Sequence, residues 1–453
     1  MSILKKLKEH NKKERASFHM PGHKTGKAFL RSKFKSDIWK LDTTELSDTD
    51  CLVNPGNFIK EAEEKAAKAY KAESSFFLVN GASSGILSMF RAAFAEGDKV
   101  IVSRDCHKSV INAIALCGLL PIYINPHIHE RGFSGGVSTE SIKEAIESFP
   151  DAKGVFLTSP TYFGIVSNIT EIAKLVHEKG MLLLCDEAHG AHFPFSKSFP
   201  AGAISCGADI SVVSLHKSMP CPNQTAILNL GKCTVSYGKM KAAVNMFQTT
   251  SPSYVLLSMM EHAIDTGLTK GERLTKEFMD NLIQNEHIYS FDDPFKLIVD
   301  FSSKGYNGYE VMDILEKKFG IYAEMAIETC VLLMASWAND KKDFALLKKA
   351  VGYIDSLPPK TPIVSNENFD TENTLVMTPR EVFNSLKENV PIDMAIGRVA
   401  DREVTIFPPC IPVFMPGEEI KKEHIEKIKR AIEKNLTVTG IENSLVTVTK
   451  HKI

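Results

Sequence analysis

The sequence predicts an α/β protein whose larger part is built on a mostly parallel central sheet, and two observations carry that prediction. Short apolar runs recur at FFLV (76–79), VIV (100–102), PIYI (121–124), GVFL (154–157), MLLLC (181–185) and ISVV (210–213), separated by segments long enough to hold crossover helices. Most of these runs are continuously apolar rather than alternating, which suits strands covered on both faces.

The elements follow in order. After a polar, irregular start, residues 57–71 place Ile59, Ala62, Ala66, Ala69 and Tyr70 near helical spacing, which reads as a surface helix. The six runs and their crossovers come next. From Gln248 to Asp265 the pattern turns helical and continues as a long charged helix ending near Asn285. FKLIVDF, YEVMDILEKKFG, TCVLLMAS and DFALLKKAVGYIDSL then read as strand, helix, strand, helix, a smaller α+β unit. A Pro- and Asn-rich loop or linker covers 357–373, and a motif-rich section runs from Pro379 onward. The expected division is an N-terminal segment 1–56, a large domain 57–290 and a small C-terminal α+β domain 291–453.

Composition narrows the function. Lys plus Arg total 54 against 55 for Asp plus Glu, a net charge of −1, which removes the electrostatic case for nucleic acid or an anionic membrane as partner. With 43% hydrophobic and 24% charged residues, the chain has the make-up of a soluble globular protein. No apolar run is long enough to span a membrane, and the opening MSILKKLKEHNKKERAS is too polar for a signal peptide, so a cytoplasmic protein is expected. Nine scattered cysteines without a C-x-x-C pair read as small buried hydrophobes in a reducing compartment, with neither a zinc site nor a disulfide framework.

Ligands in open α/β sheets bind beyond the carboxyl ends of the strands, so chemistry is sought there. FFLV leads into Asn80-Gly81-Ala82-Ser83-Ser84-Gly85, whose backbone N–H groups and hydroxyls suit a phosphate; a capped helix start explains the same residues. VIVS leads to His107, either a catalytic ring or a capping residue. LLLC leads to Asp186, His189 and His192. A carboxylate at the edge of a buried strand is costly without a cationic partner, which a protonated ring nitrogen would supply. A helix cap, or a metal site on the two histidines that lacks a further ligand, is the competing reading. ISVV leads to Ser214-Leu215-His216-Lys217, where Lys217 is either solvated or a desolvated amine suited to Schiff-base chemistry. Phosphate anchor, ring-facing group, acid and lysine, in this order, are the parts of a pyridoxal 5′-phosphate (PLP) site.

The chain resembles the fold-type-I PLP-dependent ornithine/lysine/arginine decarboxylases, in the short bacterial form without the N-terminal wing domain. The matching stretches are HMPGHKTG (19–26), TTELSDTDCLVNPGN (43–57), FFLVNGASSG (76–85), RDCHKSV (104–110), SPTYFGIVSNI (159–169), CDEAHGAHF (185–193), SLHKSMPCPNQTA (214–226), QTTSPSY (248–254), AIGRVA and FPPCIPVFMPGE. The resemblance implies that Lys217 bonds the cofactor aldehyde, Asp186 pairs with the pyridinium nitrogen and His107 stacks on the ring. It implies that Ala82, Ser83, Ser84, Ser214 and His216 hold the phosphate and that His189 lies beside the cofactor. Thr249 is expected to reach the phosphate in a neighbouring subunit, because the family's sites lie at the interface of a homodimer or higher oligomer.

The departures from the family pattern are Leu215 and Ala82 where Thr is usual, Pro222-Asn223 where small or apolar residues are commoner, Cys410 where Gly is expected, and TELSDTD without its Pro-Gly. None removes a cofactor-handling residue; they bear on substrate choice and rate. The implied reaction is decarboxylation of a basic L-amino acid (arginine, lysine or ornithine) to the amine and CO2, in polyamine-related metabolism. Glu45, Asp48, Asp50 and Glu418 are candidate acids for the basic side chain, each equally readable as a solvated surface acid. Transamination on the same scaffold, or a lapsed enzyme acting as a binding or regulatory protein, are the rival readings. The intact Asp186, His107 and Lys217 set favours the enzyme.

Overall fold

The computed structural model describes residues 12–29, 38–46, 48–364, 373–407, 411–433 and 436–452. All six apolar runs are strands of one sheet. Counting from a short N-terminal strand β1 (Ala16–Phe18), they are β2 (Ser74–Leu78), β3 (Lys99–Ser103), β4 (Leu120–Ile124), β5 (Gly154–Thr158), β6 (Leu182–Asp186) and β7 (Ile210–Val213). A seventh strand, β8 (Ala226–Leu230), enters antiparallel to both neighbours and gives the order β2-β8-β7-β6-β5-β3-β4. The pairings β4-β3, β3-β5, β5-β6 and β6-β7 are parallel. β3 has β4 on one side and β5 on the other, so the direction of winding reverses there, and the crevice beyond those strand ends is where a ligand fits.

Both faces of the sheet are covered, as continuous apolar runs require: Phe90, Ile114 and Val244 belong to one core cluster, Ile142, Ile172 and Val176 to another. β8 was not anticipated because Asn229 interrupts its apolar run. That side chain is fully buried and accepts the Ser75 hydroxyl at 2.6 Å, so the polar group sits inside the sheet without an unmet hydrogen bond.

The surface helix expected at 57–71 is α1 (Phe58–Tyr70), closed by Lys71 in the left-handed conformation. Helices α2 (Gly81–Ala93) and α3 (Lys108–Cys117) follow β2 and β3. The long helix is α4 (Tyr254–Asn281), shorter at both ends than the pattern suggested. Its start is set by Ser253, whose hydroxyl accepts the Leu256 N–H. Gln248 lies outside it because its amide is engaged elsewhere, accepting the Val79 N–H and donating to the Phe77 carbonyl, each at 3.1 Å.

Beyond α4, the expected strand–helix–strand–helix order is present. β9 (Ile288–Tyr289), β10 (Lys296–Val299), β12 (Met325–Ala326) and β13 (Val331–Met334) form an antiparallel sheet, ordered β12-β13-β10-β9, with helices at Gly308–Ile314 and Lys341–Asp355. The start of the chain is not wholly irregular: β1 pairs in parallel with β11 (Ile321–Ala323), so the N-terminal segment is sewn to this small unit. The C-terminal section adds a sheet from Lys387–Pro391, Leu445–Lys452 and Arg398–Ala400, and another from Ile411–Phe414, Val404–Phe407 and Thr437–Thr439. It has its own cluster of Ile406, Phe414, Ile428 and Val446, separate from the cluster of Leu297, Leu333 and Leu347. We propose 57–290 and 291–453 as the two main units after the segment 1–56, the second holding two cores. Residues 365–372 of the expected linker, and Cys410, lie outside the described residues.

Candidate active site

The parallel strand ends deliver four of the predicted residues to one place. A cavity of about 680 Å³ is lined by His107 from the β3 end, Asp186 and His189 from the β6 end, and Lys217 just after β7, with Glu403 and Thr405 contributed by the C-terminal section. Asp186 is the last residue of β6 and is buried, one carboxylate oxygen accepting the Ala188 N–H at 3.0 Å. Burial pushes the Lys217 amine below the usual lysine range, against the pull of Asp186 and Glu324. His107 caps α3: its Nδ1 lies 3.2 Å from the Ser109 N–H and 2.8 Å from the Ser109 hydroxyl. The ring is anchored through one nitrogen while it lines the cavity.

His189 is 4% exposed and lies between two lysines. Its Nε2 is 3.0 Å from Lys217 Nζ, and its Nδ1 is 2.7 Å from the Nζ of Lys296, a residue of β10 that is 1% exposed. Tyr162 packs edge-on to the imidazole at 4.7 Å and donates its hydroxyl to Glu324. Burial, reinforced by both lysines, drives the His189 pKa far down, so its ring is neutral; burial also brings Lys296 down to about 7. Sequence reading missed Lys296, Tyr162 and Glu324. The available signal was a lysine inside the apolar run FKLIV.

The residues expected at the phosphate stand outside that lining. Ala82, Ser83 and Ser84 form the first turn of α2, which no side chain caps; Ser83 is exposed and the Ser84 hydroxyl donates back to the Gly81 carbonyl at 2.8 Å. Ser214 precedes the short helix carrying Lys217, and its hydroxyl lies 3.1 Å from His216 Nδ1. Burial lowers the His216 pKa to about 4, which leaves that ring neutral at pH 7. Thr249 is exposed, and its backbone N–H points to the Asn80 side-chain oxygen at 3.4 Å, beside the start of α2. An acid, a desolvated amine, an anchored ring and an uncapped helix start along one sheet edge fit PLP. Among the described residues no group of three or more His, Cys, Asp or Glu could hold a metal ion.

The acids suggested for substrate recognition need correction. The Asp50 carboxylate accepts four backbone N–H groups, from Cys51, Gly56, Asn57 and Ile59, and so builds the turn leading into α1. Glu418 is buried against Arg104, with Nη1–Oε1 at 2.7 Å and Nη2–Oε2 at 2.5 Å. Glu45 and Asp48 do not line the cavity. Besides Asp186, the acids that do are Asp105, whose carboxylate accepts the Ser103 and Ser134 hydroxyls, and Glu403, hidden to sequence reading in a solvated-looking Asp-Arg-Glu run.

Comparison with known proteins bears on the family and the fold. Residues 2–289 match the family model described as Orn/Lys/Arg decarboxylase, major domain, and residues 363–449 match its C-terminal domain. The chain is 34% identical to an arginine decarboxylase of Bacillus subtilis, over 97% of this chain and 95% of that one. It is 32% identical to an arginine decarboxylase of Halalkalibacterium halodurans, over 96% and 94%. In three dimensions it is similar to lysine decarboxylase A of Pseudomonas aeruginosa, with a TM-score of 0.78 at 20% identity over 98% of this chain and 80% of that one.

Proposed function

The chain belongs to the Orn/Lys/Arg decarboxylase family, as a PLP-dependent decarboxylase of a basic amino acid, and from that premise we propose that it binds PLP at the Lys217 cavity and converts L-arginine to agmatine and CO2. The observation that carries the reading is the convergence of Lys217, Asp186 and His107 on one cavity. Arginine is favoured because relatives matching nearly the whole chain bear that name, and because the planar guanidinium suits a carboxylate such as Glu403. Among the described residues the Glu403 side chain has no ion-pair or hydrogen-bond partner.

When bound, PLP supplies the electron sink that accepts the pair left by the departing carboxylate. The residues do the rest. Lys217 presents the amine that bonds the aldehyde, Asp186 keeps a proton on the ring nitrogen, and His107 lies against the ring face. Ala82, Ser83, Ser84, Ser214 and His216 receive the phosphate, and His189 borders the Lys217 amine. Each turnover takes up one proton at Cα as CO2 leaves, and Lys217 is the group assigned to carry it.

The same reading places the reaction in polyamine-related metabolism in the cytoplasm, supported by eight described cysteines that are all free. It makes the working unit a homodimer or larger, with the exposed Thr249 reaching a neighbour's phosphate. The test is CO2 release with PLP and L-arginine, L-lysine or L-ornithine in parallel, Lys217→Ala serving as control. Arginine-dependent release lost in the control is expected. Release from lysine or ornithine alone overturns the substrate, and a keto acid without CO2 gives the transaminase. Glu403→Gln should raise KM for arginine about 10- to 100-fold with a smaller change in kcat, the worth of one charged hydrogen bond.

A further inference from the structure

Hydrogen-bond counting around His189 restricts its charge. Both ring nitrogens face a lysine Nζ, at 3.0 Å for Lys217 and 2.7 Å for Lys296. A neutral imidazole has one N–H and one lone pair, so it accepts from one ammonium and must donate to a neutral amine at the other. Two ammonium groups leave a proton facing a proton in a buried site. Keeping both hydrogen bonds therefore leaves one positive charge over the three groups. The shorter contact is the one to Lys296, as a charge-assisted bond is. Lys296 is almost fully enclosed, and the carboxylate of Asp293 nearby has one buried oxygen without a hydrogen-bond partner.

We infer that Lys296 is a positioning residue for the reaction: as the ammonium donating to His189 Nδ1, it makes the opposite ring nitrogen an N–H donor and so holds Lys217 as a free amine. This rests on the reading of Lys217 as the aldehyde-bonding group, because only an unprotonated amine attacks a carbonyl. The small unit thus sets the state of a nucleophile on the large sheet, through one imidazole.

Burial opposes the charge of both lysines, and the hydrogen-bond geometry is what assigns the proton to Lys296. Lys217 feels Asp186 and Glu324, both of which favour its ammonium form, while Lys296 feels Asp293 and Glu324 in the same sense and Lys217 in the opposite one. Lys24 adds a further cation within range of Lys296, the Tyr162 ring lies 5.9 Å from Lys296 Nζ, and His107 lies within range of Lys217. Burial opposes the ammonium form of Lys217 against the pull of these carboxylates, and the His189 N–H adds to that opposition.

The test reads the amine itself. Full-length protein, treated with hydroxylamine to free any bonded aldehyde, is labelled briefly with acetic anhydride from pH 6 to 10. Labelling at Lys217 is followed by peptide mass spectrometry, with melting temperature as the fold check. The parent should label at Lys217 well below the pH at which surface lysines do. Lys296→Met should move the Lys217 profile up by about one pH unit or more, a roughly tenfold loss of labelling at neutral pH. Lys296→Arg, which keeps a permanent donor at Nδ1, should leave the profile where it was. A parental profile in Lys296→Met overturns the inference, and so does an equal shift in both variants. The outcome does not depend on CO2 release: a protein without decarboxylase activity whose Lys217 still follows this pattern would sink the proposed function and leave the inference standing.

Discussion

Two buried charge clusters join the large sheet to later parts of the chain, and they are built differently. Arg104, just after β3, meets Glu418 of the C-terminal section in a two-pronged ion pair. Glu418 also accepts N–H groups from Met415 at 2.7 Å and Asn373 at 2.9 Å, while Arg104 donates to the Pro412 carbonyl at 3.1 Å. Charge is balanced, and the polar atoms of both the Arg104 and the Glu418 side chains have partners. Lys217, His189 and Lys296 form the other cluster, with two lysines on one imidazole. A buried pair that satisfies all its groups fixes a structure, whereas a cluster in which two amines share one imidazole and one charge keeps its protons close to exchange. The difference separates the joint that holds the cavity together from the joint that conditions its chemistry.

The comparison is open to direct attack. The largest effect is expected from Lys217→Ala: CO2 release falls to background while the melting temperature stays within a few degrees, since the residue carries chemistry rather than packing. Loss of fold in that variant would make the lysine cluster structural too. Next comes Glu418→Gln, which strands the Arg104 guanidinium in a buried site; a loss of about 3–5 kcal/mol in unfolding free energy is expected by denaturant titration. Its turnover per folded molecule should change little, and a selective loss of kcat would erase the contrast.

The smallest effect is a pH slope. Burial lowers Lys24 to about 7, with its Nζ donating to the His19 and Met334 carbonyls at 2.7 Å each. Because the unfolded lysine titrates near 10.5, the folded chain binds fewer protons between pH 7 and 10.5. The penalty of the buried charge is full below pH 7 and fades as pH rises, so stability should climb across that window. Lys24→Met should flatten the climb in melting temperature against pH; an unchanged slope would show that Lys24 keeps its charge in the folded state.

The sheet and its four cavity residues were legible because strand-end position is local information: LLLC-Asp186 and ISVV-Ser-Leu-His-Lys217 carry their own address. What escaped was set by distant partners. Glu418 read as a free acid until Arg104 came beside it from the large sheet, and Asp50 until it was found gathering backbone N–H groups from its own loop. Lys296 was visible only as a charge in an apolar run, and nothing in its neighbourhood along the chain names His189 as its partner. Most strands of the C-terminal sheets escaped because they are short, such as the three residues of Arg398–Ala400, too brief to establish a period.

The pairing of β1 with β11 puts a clock on biosynthesis. Ala16 faces Ile321 and Phe18 faces Ala323, and the next residues tie in as well, with the Met20 N–H on Glu324 and the Gly22 carbonyl accepting from Ser336. At ribosomal speeds of roughly 5–20 residues per second, β1 emerges well ahead of β11, by about 15–60 seconds. A strand made early therefore waits for one made about 300 residues later, and the newborn chain must carry it unsatisfied until β11 emerges.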